Sequence, residues 1–498
     1  MKKVFENLSR TCFGNKWFAV ALIILVSIGI YHKSLNAPFI FDDIGKIVEN
    51  PDIKKLSNLK AKLIYPYTNN KIWERNDPSR PITYLTFTLN YYFGKLNTFG
   101  YHLFNLVVHI FNAILIFILT RKILLFFPQS PNFPISQFLI FPFFVALFFT
   151  VHPINISSVL YIFSRSVLLA TFFYLMALLL FIKATEKNSL ISLSPISYLL
   201  SLICFILALF SRQDVVTLPI MILLVDYIFL SDFNTKKVIE KKYYHIPFWI
   251  LLVVYLLFRY FYFGDVGDAE AGTLWDRYPY IIIQPYVVLK YLKMLLIPTG
   301  LCIVHKINPA RISELKTILA LLSITVIFWL TYKIYKKKAN NSKITLFSVL
   351  WFFITLSPTS SFFPTTSALV ENRLYLSGFG FYFIFVFFYT LVSKFFNLSN
   401  FLIFLICIHI FLLGYVTVKR NQLYQNPVLL WQDVISRYPN SIEAHNNLGI
   451  LLYNSNRFEE AEKAYRNAIR INPNFVNAYT NLGNLFKCRR IPRSLLRG

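Results

Sequence analysis

Two adjacent aspartates, Asp42 and Asp43, follow Phe41 shortly after the first apolar run of the chain. Neighbouring carboxylates repel each other, which tends to raise the pKa of one. An aspartate tuned in this way could take the proton of an acceptor hydroxyl as a general base. The plainer alternative is a solvated turn, and the pair alone does not choose between them. A second set of ionisable residues lies in or beside apolar runs: His102, His109, His152 and Arg165. His102 and His109 are seven apart and share a helix face. Such groups are costly in lipid and point to function, or to hydrogen bonds that only tie helices together. A third set is Glu371-Asn372-Arg373-Leu374-Tyr375. Its arginine fork could pair with a phosphate, or act with Tyr375 as an interfacial anchor. No His, Cys or carboxylate cluster has metal-ligand spacing. No metal site or cofactor is therefore expected, with a divalent cation left open.

Composition tells what kind of element must hold these groups. Of 498 residues, 56% are hydrophobic and 15% charged, where soluble domains run at about a quarter charged. The apolar residues come in long blocks, the mark of membrane-crossing helices. The predicted spans are 17–33, 101–119, 135–151, 166–182, 196–211, 214–230, 246–263, 317–335, 344–363, 374–393 and 398–418. The run 279–297 is apolar too, but Lys290 and Lys293 near its middle would each cost about 2.5–3.5 kcal/mol at a bilayer centre. It is predicted to lie in the interface instead. Eleven spans and one interfacial helix result.

The formal net charge of +27 would suggest nucleic acid in a soluble protein. Here the cations cluster between apolar runs, where they orient helices and meet anionic headgroups, and no nucleic-acid partner is expected. With the N-terminus cytoplasmic, Arg121, Lys122, Lys183, Lys187, Lys236, Lys237, Lys241, Lys242 and the run Lys336 to Lys338 all fall inside. The segments 34–100, 152–165, 264–316 and 364–373, and the chain after about Val418, are then extracytoplasmic. The basic N-terminus and first apolar run read as an uncleaved signal anchor. Five cysteines without a short-spaced pair support neither a disulfide framework nor a zinc site.

The residues from 427 to 498 are soluble in character and repeat. Pro439 and Pro473, Leu448 and Leu482, and Gly449 and Gly483 are each 34 apart, the period of a tetratricopeptide helix pair. One full repeat is expected over 442–475, with partial repeats on either side. About three repeats usually make a stable array, so this tail is expected to lean on the membrane portion or on a partner.

Several stretches, taken in order, resemble a known family: Phe39 to Asp43, Asn50-Pro51, Arg80-Pro81, Gly100 through Asn105 to His109, Val151-His152-Pro153, Arg165, Leu218-Pro219 and Glu371 to Leu376. They look like the transmembrane-and-tetratricopeptide O-mannosyltransferase-type proteins of the GT-C superfamily. The resemblance implies an all-α polytopic bundle over 1–418 followed by the helical tail. It implies an enzyme moving a sugar, mannose or another hexose, from a polyprenyl-phosphate donor to an extracytoplasmic acceptor, with inversion at the sugar carbon. Protein Ser/Thr, or another lipid or a glycan, would be the acceptor, and the tail would bind a peptide or protein. Asp42 or Asp43 would be the catalytic base, Arg165 and Arg373 would neutralise the lipid phosphate, and Arg80, His102, His109, His152, Glu371 and Tyr375 would shape the pocket. Family members usually carry a Glu after the His-Pro motif and a Lys-Glu before the Leu-Pro motif. This chain has Ser157-Ser158 and Arg212-Gln213-Asp214 there, so donor or acceptor binding is expected to differ in detail. The rival classes are a transporter, although the two halves show no repeat, and a non-catalytic scaffold for the tail's partners.

Overall fold

The computed structural model describes residues 16–55, 79–126, 135–185, 193–263, 274–307, 314–337, 340–360, 367–396 and 399–490, and has no strand among them. In lipid every backbone amide and carbonyl must find a partner within the chain, and a helix does this segment by segment. Among the described residues nine helices are long and apolar enough to cross a membrane. They include α1 (Lys16–Tyr31), α3 (Thr98–Leu125) and α6 (Arg165–Thr185). A tenth candidate is a helix pair bent by 49° where α4 (Ile135–Val151) gives way to the stretch Pro153–Leu160. Pro153 brings no amide, and His152 before it is extended (ψ 126°), so the helix stops there. The shorter α7 (Leu193–Leu209) is apolar from Pro195 onwards and falls below the length of these crossings. Each predicted span thus forms a helix.

Hydrogen bonds fix which end of the bundle each helix meets. One end collects the loop after α1, the start of α2 (Pro81–Gly94), the His152 bend and the stretch Gln213–Thr217 that opens α8 (Leu218–Val225). Here His102 Nε2 meets the Ala37 carbonyl at 2.9 Å, and Thr83 donates to the Ser211 carbonyl at 3.2 Å. The opposite end holds Asp226, bonded to Lys241 at 2.7 Å and to His245 at 2.8 Å where α9 (Lys242–Phe263) begins.

The predicted interfacial run forms α10 (Leu274–Leu296). The Tyr280 hydroxyl donates to the Thr359 carbonyl at 2.9 Å, and Tyr291 donates to the Val370 carbonyl at 3.0 Å. The Leu295 carbonyl meets His152 Nε2 at 3.0 Å. All three partners belong to the first end. From Tyr280 to Leu295, about 22 Å of helix, α10 therefore lies across that end and not through the bundle. Asp265, Asp268 and Glu270 before it lie outside the described residues, as does the side chain of Trp275.

The core is dense in phenylalanine and tyrosine. Between α12 (Asn340–Leu356) and α13 (Leu374–Phe396) only a glycine fits. A Cβ on Gly380 would stand 2.5 Å from the Ser348 carbonyl. Along α3 a buried polar stripe alternates at spacings of three and four. Asn105 donates to the Val159 carbonyl at 3.2 Å, His109 meets the Tyr375 hydroxyl at 2.7 Å, and Asn112 donates to the Leu168 carbonyl at 3.0 Å. Such bonds tie helices together in lipid, each contributing about 0.6–2 kcal/mol.

After α11 (Leu315–Lys336), α12, α13 and α14 (Ser399–Gln425), the tail comprises α15 (Pro427–Arg437), α16 (Ile442–Asn454), α17 (Phe458–Ile471) and α18 (Val476–Arg490). A Cβ on Gly449 would fall 2.5 Å from the Tyr465 ring, so the glycine lets α16 and α17 meet closely. Trp431, Val434 and Ala444 of the tail pack on Cys302, and Lys306 pairs with Glu443 at 2.6 Å. The tail is seated on the membrane portion, at the end across which α10 lies.

Candidate active site

That same end opens into a cavity of about 830 Å³. Its polar wall carries three arginines (Arg80, Arg212 and Arg373) and three carboxylates (Asp42, Asp214 and Glu371), while Ile220, Leu252 and Leu256 line an apolar side. Segments far apart in the chain meet here because helix ends and short loops converge on one end of the bundle.

The aspartate pair is split. Phe41 has φ 51°, a backbone state costing a non-glycine residue about 1–3 kcal/mol unless its surroundings hold it there. The holding contacts are the rings of Trp431 at 5.5 Å and Tyr161 at 6.0 Å. Past this turn Asp42 faces the cavity, where its Oδ2 accepts the Tyr161 hydroxyl at 2.5 Å. Burial raises the Asp42 pKa above the usual carboxylate value, with the Tyr161 bond and the charge of Lys46 pulling the other way. Asp43 is wholly buried and outside the lining. Its oxygens accept the Ile40 amide at 3.1 Å and the Phe163 amide at 2.8 Å. Burial pushes its pKa up to about 8 against those two bonds, and the neighbouring Asp42 adds to the rise. Asp42 thus faces the cavity, whereas Asp43 fastens the loop.

The arginines expected on the phosphate part company as well. Arg165 is fully buried and does not line the cavity. It donates to Asn105 Oδ1 at 2.8 Å, Thr86 at 3.2 Å, Asn90 Oδ1 at 2.6 Å and the Tyr101 carbonyl at 3.0 Å. The rings of Phe87 and Phe104 lie against its guanidinium, at 4.6 and 4.4 Å. Its donors are taken up inside the protein, away from the cavity wall where a phosphate contact was expected, and it joins α2 and α3 to α6. Arg373 does line the cavity, while donating to the carbonyls of Thr359, Ser367 and Ala368 at 2.8–3.1 Å.

Of the residues expected to shape the pocket, Arg80 and Glu371 line it; His102, His109, His152 and Tyr375 do not. His102 staples α3 to Ala37, and His109 is buried against Tyr375. His152 accepts the Ile154 amide on Nδ1 at 3.2 Å and reaches the Leu295 carbonyl with Nε2. Each uses its ring nitrogen to join segments, the tying alternative for intramembrane polar groups.

Glu371 is the polar hub of the cavity wall. Its Oε1 accepts the Cys302 amide at 2.5 Å and His305 Nε2 at 3.1 Å, while Oε2 accepts Arg420 at 2.8 Å. With Nε2–H given to the carboxylate, His305 Nδ1 is left to accept the Tyr438 hydroxyl at 3.1 Å. One buried chain therefore runs from α14 through the cavity wall to the tail.

Sequence reading passed over Tyr161, His305 and Arg420, and gave Arg212 and Asp214 no place in the site. Arg212 and Asp214 pair at 2.6 Å in the cavity wall and stand in the triplet that departs from the family pattern, so a signal was present. Arg420 directly follows Lys419 just past the last predicted span, and nothing in the sequence set it apart. Nothing in the sequence marked Tyr161. Among the described residues no three or more His, Cys, Asp or Glu side chains converge to hold a metal ion.

The fold and its appended repeats define a polytopic membrane protein with a tetratricopeptide tail, and comparison with known proteins agrees. The tetratricopeptide repeat family model matches residues 442–475, the helices α16 and α17. The chain is 27% identical to the Caenorhabditis elegans protein O-mannosyl-transferase F38B6.6, over 91% of this chain and 63% of that protein. It is 24% identical to human protein O-mannosyl-transferase TMTC3 (94% of this chain, 53% of the relative) and 23% identical to human TMTC1 (94% and 56%). It is thus similar to protein O-mannosyl-transferases of this type along nearly its whole length. It spans between about half and two thirds of the length of these relatives. No solved structure matches the chain.

Proposed function

We propose that this chain transfers a hexose, mannose foremost, from a polyprenyl-phosphate donor to a hydroxyl of an extracytoplasmic protein acceptor. The observation that carries the reading is the shared cavity wall of Asp42, Arg80, Arg212 and Arg373; the printed names of the relatives support the sugar and the acceptor class. Asp42 accepts the proton of a Ser or Thr hydroxyl as its oxygen attacks the sugar C1 from the face opposite the phosphate. The C1–O bond to phosphate breaks, the electron pair leaves with the phosphate oxygen, and the configuration at C1 inverts. Cations fixed beside the developing phosphate charge stabilise that departure. The polyprenyl chain lies along the apolar side at Ile220, Leu252 and Leu256, and the tail receives the extended acceptor segment. The positive-inside pattern supports an extracytoplasmic face for this end of the bundle.

The test is transfer by the full chain, purified and reconstituted, from mannosyl polyprenyl phosphate to a Ser/Thr-rich peptide, read by mass spectrometry. Asp42→Asn is expected to lower the rate about 10²–10⁴-fold, the usual contribution of a general base, with the fold intact. A reconstituted Asp42→Asn protein that transfers at the wild-type rate ends the proposal.

A further inference from the structure

A second cavity, of about 420 Å³, opens where α10, the segment Lys306–Ile307, the start of α11 and the tail meet. Its ionisable lining is Lys290, Lys306, Lys316 and Arg437, and no carboxylate lines it. Three flanking carboxylates hold three of these cations from outside the lining: Glu443 pairs with Lys306, Glu314 with Lys316, and Asp433 with Arg437, all within 2.6–2.9 Å. Among the described residues Lys290 has no carboxylate partner. It stands 5.1 Å from the centre of the Tyr286 ring, and Lys316 stands 5.9 Å from the same ring. Two ammonium groups thus stand near one aromatic ring in a lining that holds no carboxylate. Like charges gathered in this way repel, and an anion between them relieves the repulsion.

We infer that this cavity is a binding site for a phosphate-bearing anion, separate from the 830 Å³ cavity. The volume suits a phosphate group with its immediate substituents, and ammonium and guanidinium groups are its ordinary ligands. Lys290 lies on α10, the helix laid across the end of the bundle, so an anionic lipid headgroup and a soluble phosphate both have the required chemistry. The site does not depend on the proposed sugar transfer. Tyr438 does connect the two places: it lines this cavity, and its hydroxyl bonds the His305 that holds Glu371.

The experiment uses the full chain in detergent. Native mass spectrometry follows retention of phosphatidylglycerol against phosphatidylcholine, and a parallel titration follows inorganic phosphate by thermal shift. Preferential retention of phosphatidylglycerol, weakened about tenfold or more in K290Q/K316Q and kept in K290R/K316R, supports the site with a lipid as its ligand. No lipid preference, but a phosphate-dependent stabilisation lost in K290Q/K316Q and kept in K290R/K316R, supports it with a soluble anion. Equal behaviour of wild type and K290Q/K316Q in both assays, with both proteins monodisperse, overturns it. Because neither readout is transfer activity, this result and the outcome at Asp42 are independent.

Discussion

Tyr161 gives its hydroxyl hydrogen to Oδ2 of Asp42 at 2.5 Å, across 119 positions of sequence. The bond favours the carboxylate, because a hydrogen bond donated to the charged form lowers a carboxyl pKa. Burial works against it, and the net shift of Asp42 is upward. A base must be deprotonated to act, so activity falls on the acid side of the Asp42 pKa. Removing the hydroxyl in Tyr161→Phe raises that pKa further. The acid limb of the kcat/KM profile is therefore expected to move to higher pH, and an unmoved limb would separate Tyr161 from the base.

The consecutive aspartates are expected to fail in different ways. Asp42→Asn loses transfer and keeps its melting temperature. Asp43→Asn turns an amide N–H towards a backbone N–H of Ile40 or Phe163, so that two buried donors face each other without an acceptor, at about 1–3 kcal/mol for each unpaired group. It is expected to melt earlier while transferring sugar in proportion to the folded fraction.

Asp43 also predicts a pH dependence of stability. Its folded pKa of about 8 lies above the ordinary 3.8, so the unfolded chain gives up this proton first. Its contribution to stability is full below about pH 3.8 and is lost progressively as pH rises towards 8. The melting temperature of wild type should fall across that window. Asp43→Asn lacks this titration, so its gap from wild type should be widest at low pH and narrow as pH rises.

Arg165 and Arg212 offer a matched contrast. Arg165→Gln strands the acceptors on Asn90, Asn105 and the Tyr101 carbonyl and is expected to cost about 3 kcal/mol or more in stability. Arg212→Gln removes a partly exposed guanidinium of the cavity wall. It is expected to leave melting nearly unchanged and to lower kcat/KM roughly ten- to a hundredfold through the departing phosphate. Melting curves beside steady-state kinetics decide the matter, and the reverse pattern would return the phosphate role to Arg165.

Trp431 is a positioning residue in this reading, acting on Asp42 through Phe41. In Trp431→Ala the turn at Phe41 loses one of its two ring contacts, and kcat is expected to fall about fivefold or more with KM held, since small losses of alignment are costly in rate. Trp431→Phe should recover most of it. An equal fall in both variants would point to general damage of the tail.

Much of this arrangement could be read before any coordinates. Unbroken apolar blocks announced the candidate crossings, and α10, which carries Lys290 and Lys293, is not among the helices long and apolar enough to cross. The 34-residue spacing of Gly449 and Gly483 found the repeat, and Gly449 does meet Tyr465. The site was legible only in part, for a physical reason. Asp42 and Asp43 are the same residue type in neighbouring positions, and what separates them is a backbone turn held by Trp431, 390 positions away. His102, His109 and Arg165 carry the same cost in lipid whether they bind a ligand or join helices, and only their partners show that they join helices. Arg420 and His305 matter through Glu371, and that meeting leaves no local pattern in the chain.

The buried chain Arg420–Glu371–His305–Tyr438, together with the Phe41–Trp431 ring contact, ties the C-terminal helices to the wall of the large cavity. Cutting after Gln425 would leave His305 without its tyrosine and Phe41 without one of its two ring neighbours, although each lies more than a hundred positions upstream. Chimaeras that exchange repeats between relatives should therefore carry their own Phe41 turn and 301–306 strap with them.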